Sequence, residues 1–235
     1  MQIELAGHEL ELLPERAVWW PASSSLVVAD PHFGKSATFR RAGLPVPERS
    51  GERDLARLSE LLRRYGPRRL IVLGDFWHSR AGRTMATLRS LDQWREAHAE
   101  LDILLIRGNH DAHAGDPPES WRIRCVPEPH ADSRSVRLAH HPGPANETAG
   151  GALTLAGHVH PVVVLRDESG GRLRLPCFHF TPGVNHAEGG GQLILPAFGG
   201  FTGGGRITPA AGDRIFAAGP DRVIEVPGAL AGADV

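Results

Sequence analysis

The sequence predicts an α/β fold, and three observations carry that prediction. Strand-like and helix-like stretches alternate between residues 25 and 109. Beyond residue 120, short apolar runs follow one another between Gly- and Pro-rich turns. Strand after strand ends in Asp, Asn or His. The alternation calls for parallel strands, because parallel neighbours need a crossover connection, commonly a helix. The close-set later runs call for a β-rich second half.

The elements follow in order. "SLVVAD" (25–30) reads as a buried strand. "ERSGERDLARLSELLRRYG" (48–66) carries apolar residues at 55, 58, 61 and 62, a helical stripe closed by Gly66 and Pro67. "RRLIVLGD" (68–75) is a second buried strand. "RTMATLRSLDQWREAHAE" (83–100) is a second helix, with Met85, Leu88, Leu91 and Trp94 roughly on one face. "LDILLIRGN" (101–109) is a third strand. "SVRLAHH", "ALTLAGHVH", "VVVLRD", "RLRLPCF", "QLILPAF" and "DRIFAAG" supply the later strands. The glycine-rich stretches form turns and are too short to divide two domains as a flexible linker. A single domain over residues 1–227 is expected, with a frayed tail at 228–235.

Composition narrows the class. Of 235 residues, 41% are hydrophobic and 23% charged, an ordinary globular balance. No apolar run approaches the roughly 18 residues of a membrane span. The N-terminus carries acids early and no apolar h-region, which argues against a signal peptide. Cys125 and Cys177 cannot build a disulfide framework and read as two buried thiols. Together these point to the cytoplasm, with no membrane partner. The net charge of −1 excludes a global basic field of the kind that advertises nucleic acid. Lys35 is the one lysine among 26 basic residues, an imbalance that genomic composition bias explains. Thirteen histidines are the unusual feature, since imidazole is the commonest metal ligand.

The strand ends carry the chemistry. The first delivers Asp30 and, two residues on, His32. The second delivers Asp75, the third Asn109, His110 and Asp111. "RLAHHP" ends in His140 and His141, and "TLAGHVH" in His158 and His160. Any one of these is explained as a turn residue, but five together at the edge where α/β sheets gather ligands are not. Such a set suits two divalent ions about 3.5–4 Å apart, clamping the attacking and leaving oxygens of a phosphoryl displacement. Imidazole-rich ligation without thiolate favours Mn, Fe or Zn over Mg.

Asp-x-His, Gly-Asp, Gly-Asn-His-Asp, His and Gly-His-x-His, in this order between residues 30 and 160, resemble the calcineurin-like metallophosphoesterase superfamily. That resemblance implies a sandwich of two mixed β-sheets flanked by helices. It assigns Asp30, His32, Asp75 and His160 to one ion, and Asp75, Asn109, His140 and His158 to the other. Asp75 would bridge them. His110 would stand beside the metals without binding them, and Asp111 would orient it. His140 is preferred to His141, because the ligand usually comes first in such a pair. "HFGKSATFRRAGLPVP" and "LPAFGG" carry a narrower resemblance, over roughly residues 18–205, to the ligase-associated DNA damage response endonucleases (the PdeM family). It implies a manganese-dependent phosphodiesterase that cuts DNA, single-stranded or damaged, alongside a helicase, a nuclease and a ligase. Pro31 departs from that family's leucine, and its ring fixes the backbone between two ligands.

Other residues admit two readings. His78 contacts the scissile phosphate or stands behind a ligand; otherwise it caps the following helix. Lys35, Arg40 and Arg41 hold a DNA backbone or form a solvated charged loop. Trp19, Trp20 and Phe39 read as core or staple residues rather than base-stacking platforms. His113, His179 and His186 have no motif support. The expected reaction is direct hydrolysis by a metal-activated hydroxide, with no Ser or Cys nucleophile. Two rivals remain: a phosphodiesterase or pyrophosphatase for a small nucleotide or lipid substrate, and a non-enzymatic scaffold, which the full ligand set disfavours.

Overall fold

The computed structural model describes residues 1–46, 50–144, 151–166, 171–183 and 190–227. The tail at 228–235 and His186 lie outside the described residues. Three strands precede the expected ones: β1 (Gln2–Leu5), β2 (His8–Leu13) and β3 (Ala17–Trp20). They pair antiparallel as a meander and join β4 (Ser25–Ala29). From there the chain runs α1 (Lys35–Arg41), α2 (Ser50–Tyr65), β5 (Arg69–Leu73), α3 (Met85–Ala97), β6 (Asp102–Ile106), α4 (Asn109–Ala114) and β7 (Ile123–Val126). The first sheet has the order β1-β2-β3-β4-β5-β6-β7, and β4 to β7 are all parallel.

The second half is β-rich, as expected. It contains β8 (His130–Ala131), β9 (Val136–Leu138), β10 (Leu153–Ala156), β11 (Pro161–Arg166), β12 (Arg172–Pro182), β13 (Gly191–Ile194), β14 (Gly205–Arg206), β15 (Arg214–Ala218) and β16 (Val223–Val226). Their sheet is mixed: β9, β10 and β13 are parallel, whereas β11, β12, β15 and β16 pair antiparallel.

The two sheets face each other. Val27, Ala29, Ile71, Leu73, Leu104 and Ile106 of the first sheet pack against Leu138, Leu153, Leu155, Phe178, Leu193 and Phe216 of the second. Alternate residues of the same strands, Leu26, Val28, Leu70, Val72, Ile103 and Leu105, pack against the helices. Burial on both faces is why these strands read as unbroken apolar runs. In α2 the stripe Leu55, Leu58, Leu61 and Leu62 is buried as expected. Gly66, in the left-handed region at φ 55°, closes the helix with its N–H on the Leu62 carbonyl.

Several boundaries differ from expectation. Of the expected face of α3, Leu91 is buried and Leu88 and Trp94 partly so, while Met85 is 74% exposed. Met85 occupies the first turn, ahead of the contact with α2. The third strand stops at Ile106, and Asn109 opens α4. Cys177 is buried, but Cys125 is half-buried on β7.

Candidate metal centre

The carboxyl ends of β4, β5 and β6 meet those of β9, β10 and β13 along one edge. There the sheets are stitched by a parallel bridge between Ala29 and Ala197. The Phe198 N–H donates to the Ala29 carbonyl at 2.7 Å. Asp30, His32, Asp75, His158 and His160 all hold positive φ, between 48° and 68°. This conformation costs a non-glycine residue about 1–3 kcal/mol and persists where the surroundings impose it, commonly at functional sites. Sequence reading singled out all five for their chemistry. Gly74, itself at φ 74°, leaves room for the His140 imidazole, and Gly108 leaves room for the Asp75 carboxylate. A Cβ at either position would collide with them, which explains the glycines of "GD" and "GNHD".

Asp75 lies at the centre. Its Oδ1 is 3.4 Å from His140 Nε2, and its Oδ2 is 3.8 Å from His32 Nε2. Asp30 Oδ1 lies 3.5 Å from both His160 Nε2 and His140 Nδ1. His140 Nε2 also lies 3.0 Å from Asn109 Oδ1 and 3.1 Å from His158 Nδ1. His140 is fully buried, whereas Asn109 and His158 sit at the exposed mouth. Asp30, His32 and His160 thus form one group that could hold an ion, and Asp30, Asp75 and His140 another.

Backbone carbonyls set the tautomers. His160 Nδ1 donates to the Gly203 carbonyl at 3.2 Å, and His140 Nδ1 to the Leu73 carbonyl at 3.3 Å. Each leaves an Nε2 lone pair facing the centre, the usual arrangement of a ligating imidazole. Asp30 Oδ1, His160 Nε2 and His32 Nδ1 are buried with no hydrogen-bond partner among the described residues. Buried polar atoms are normally bonded. Asp30 Oδ1 and His160 Nε2 converge at 3.5 Å, and this neutral-N, anionic-O donor set fits a divalent cation.

The electrostatics agree. Burial, followed by the nearby Lys35 charge, lowers His32 to about 2 and His78 to about 4. Burial also lowers His140 and His158. These imidazoles stay neutral, the form that binds metal. Burial raises the Asp75 carboxyl to about 7, and the neighbouring Asp30 adds to the rise against the His110 N–H bond. A carboxylate in that position needs a cation beside it.

Two expectations about nearby residues are corrected. Asp111 is buried, but its oxygens accept backbone N–H groups from Gly108 at 3.0 Å, Trp77 at 3.1 Å and Phe76 at 3.3 Å. It caps α4 and ties that helix to the loop after Asp75, because the first N–H groups of a helix lack intrahelical partners. The His110 ring is oriented instead by the His78 carbonyl, 2.5 Å from its Nδ1. His78 does not cap the next turn: the Ser79 hydroxyl does, accepting the Gly82 N–H. His78 Nδ1 is buried without a hydrogen-bond partner among the described residues, and its ring clusters with those of His32 and His110.

The remaining candidates separate. Lys35 and Arg40 line a cleft between α1, α2 and residues 199–202. Arg41 turns away to the Ala81 carbonyl. His113 is exposed and bonds the Asn109 carbonyl, and His179 pairs with Asp213 at 2.7 Å. Trp20 is buried and Trp19 packs on Tyr65, as expected, but Phe39 lies half-buried at the rim of the centre against His78.

Some residues that build the site have no signal in the sequence. Glu128 Oε2 accepts the N–H groups of His140 and His141, each at 2.7 Å, and Oε1 holds His141 Nδ1. That pairing engages His141 Nδ1, while the His141 ring lies 4.1 Å from that of His158, and His140, His141 and His158 form a further group that could hold an ion. Asp54 takes the Gly200 N–H on both oxygens, at 2.9 and 3.0 Å, and is paired with Arg57 at 3.0 Å. Arg57 lies 4.1 Å above the Phe198 ring and donates to the Phe198 carbonyl. These contacts pin the "LPAFGG" loop against α2.

Comparison with known proteins agrees with this geometry. The profile of a family described as calcineurin-like phosphoesterase matches residues 24–179. The crystal structure of a Pseudomonas putida nuclease, MPE, is 44% identical. The similarity covers 95% of this chain and 99% of that one, at a TM-score of 0.77. An E. coli phosphoesterase, YfcE, is 15% identical over 86% of this chain and 97% of its own, at a TM-score of 0.43 that adds no weight. No curated protein sequence matches. With the mixed sandwich, the candidate Asp/His metal groups and the profile in agreement, the chain belongs to the calcineurin-like phosphoesterases, a family of hydrolases that use divalent metals.

Proposed function

We propose that this protein is a binuclear metal-dependent phosphodiesterase that cuts DNA with Mn²⁺ (Fe or Zn being the other fitting metals) in DNA repair. The observation that carries the reading is Asp75. Its two oxygens face different histidines, Oδ1 towards His140 and Oδ2 towards His32, as a carboxylate shared by two ions would. Asp30, His32, Asp75 and His160 would hold one ion, and Asp75, Asn109, His140 and His158 the other. Bound there, two divalent ions supply a water activated at neutral pH and neutralise charge on a phosphoryl group.

The chain's own residues do the rest. The His78 carbonyl can only accept, so His110 Nδ1 carries the ring proton. His110 Nε2, 3.9 Å from Asp75 Oδ2, is the nitrogen left to face the substrate; a ring protonated on both nitrogens would pass its Nε2 proton to the leaving oxygen and return to the neutral Nδ1–H form. Lys35, lining the cleft beside this edge, offers charge to a phosphate. The similar Pseudomonas nuclease supports a nucleic acid as substrate, and the narrower family resemblance supports DNA. The narrower family resemblance supports single-stranded or damaged strands and service with a helicase, a nuclease and a ligase. Residues 1–227 would act as one domain.

The test is purified protein with Mn²⁺ against single-stranded DNA, duplex DNA and a small phosphodiester. The reading expects metal-dependent cleavage of DNA that chelation abolishes. Hydrolysis of small diesters with no cleavage of either DNA would replace it with a small-substrate phosphodiesterase.

A further inference from the structure

A run of aromatic rings leads from the candidate acid to the surface. His110 stacks on His78, with ring centroids 5.2 Å apart and planes 23° apart. His78 lies against Phe39 at 5.7 Å and 35°. Phe39 meets Phe201 edge to face, at 5.6 Å and 81°. The run ends in water: Phe201 is 43% exposed, and Leu44, which shares its groove, 51%. Lys35 lines the same groove.

Both ends of the run are held. Phe39 rides on α1, where the Thr38 hydroxyl is bonded to that of Ser79 at 2.8 Å. Phe201 follows Gly200, whose N–H is clamped by Asp54, and Phe198, whose N–H is on β4. An aromatic packed only as a core filler has no need of an exposed face on a braced loop. A rigid one presents ready-made contact area at little entropic cost. The groove therefore combines a flat apolar surface, one cation and direct continuity with the metal-binding edge. That is the pattern of single-strand recognition, in which bases stack on aromatic rings while cations follow the phosphates.

We propose that Phe201, backed by Phe39, is a stacking platform for an unpaired nucleobase flanking the scissile phosphate. It would make the enzyme prefer strands whose bases are free to leave their own stack. The proposal rests on the nuclease reading above. Duplex bases are already stacked on their neighbours, so engaging the platform would first cost unstacking.

The test compares two single strands of equal length and charge, cut by the Mn²⁺-loaded protein. One carries bases throughout, and the other has abasic sugars on both sides of the cleaved linkage. The wild type is expected to show a KM about tenfold lower for the base-bearing strand, within the range of one base–aromatic contact. Phe201→Ala should lose that discrimination, and Phe201→Trp should keep it. A strand with 2-aminopurine beside the linkage should show emission quenched on binding wild type and Phe201→Trp, but not Phe201→Ala. Equal KM for both strands in the wild type would overturn the platform alone. So would Phe201→Ala retaining the preference, or losing affinity equally for both strands. A wild type that binds and cuts neither strand would instead overturn the nuclease reading, and the platform with it.

Discussion

The same strands look entirely different in their middles and at their carboxyl ends. Between the sheets, Val27, Ile71, Leu104, Leu155 and Phe178 are sealed from water and packed on apolar neighbours. A few residues further along, Asp30, Asp75 and His140 are equally buried, but as ionisable groups, with His140 within 3.5 Å of both carboxylates, and two of the three hold positive φ. The interior is built for stability; the edge spends some of it. An edge of strained backbone and unpartnered donors can persist only because rigid strands from two sheets hold it from both sides.

That contrast is testable at the level of activity. His110 stands at the edge but outside the ligand groups centred on Asp30, and His110→Ala should keep its metal content. Its kcat should fall on the order of 10²–10⁴-fold, most severely for esters with poor leaving groups. Metal analysis with steady-state kinetics on two leaving groups checks this. Loss of metal together with activity would move His110 into the ligand set.

Stability should separate the regions in opposite directions. Leu155→Ala should cost about 2–5 kcal/mol, since it opens a cavity in the sealed interior. Asp75→Asn in metal-free protein should instead gain stability at pH 8, on the order of 2 kcal/mol. The sign follows from the raised carboxyl. With a folded value of about 7 against an ordinary 3.8, the cost of Asp75 grows as pH rises through that interval and is fully present above it. Denaturant unfolding of chelated protein measures both, and an Asp75→Asn protein less stable than wild type would blur the distinction.

The same carboxyl sets a pH dependence for metal binding. Below about 7 an ion must displace the Asp75 proton, while His32 and His140 stay neutral because burial lowers them. Apparent Mn²⁺ affinity should therefore fall about tenfold per unit as pH drops below 7. Calorimetry from pH 6 to 8 reads it, and a flat profile would contradict it.

The smallest effect belongs to the two arginines in the last turn of α1, a helix where a charged loop was expected. Arg40 lines the cleft and Arg41 is turned to a carbonyl. Arg40→Ala should weaken DNA cleavage a few-fold and lower its salt slope by about one, with Arg41→Ala much nearer wild type. Equal behaviour of the two variants across a salt series would remove the distinction.

Where the sequence was legible, local pattern and tertiary structure agreed. Apolar runs ending in Asp, Asn or His named the residues that the fold gathers, because a parallel strand delivers its next residue to the sheet edge. What stayed hidden depended on contacts between distant residues. Asp54 meets Gly200 across 146 positions, and Glu128 holds His140 and His141 from twelve and thirteen positions upstream. The family resemblance makes Asp111 a partner for His110, but a helix start needs its amides capped, and that demand takes the carboxylate. The β1–β3 meander does carry alternation, in "HELELL", but its acids obscure it. Phe39 sits on a seven-residue helix, too short for periodicity to say which way it faces.

The central claim is that two ions share Asp75. Electron paramagnetic resonance during Mn²⁺ titration of the metal-free protein tests it most directly. Two bound ions per chain with an exchange-coupled multiline spectrum, lost in Asp75→Ala, are the predicted result. A single bound ion with the six-line spectrum of isolated Mn²⁺, or a coupled pair that survives Asp75→Ala, would contradict it.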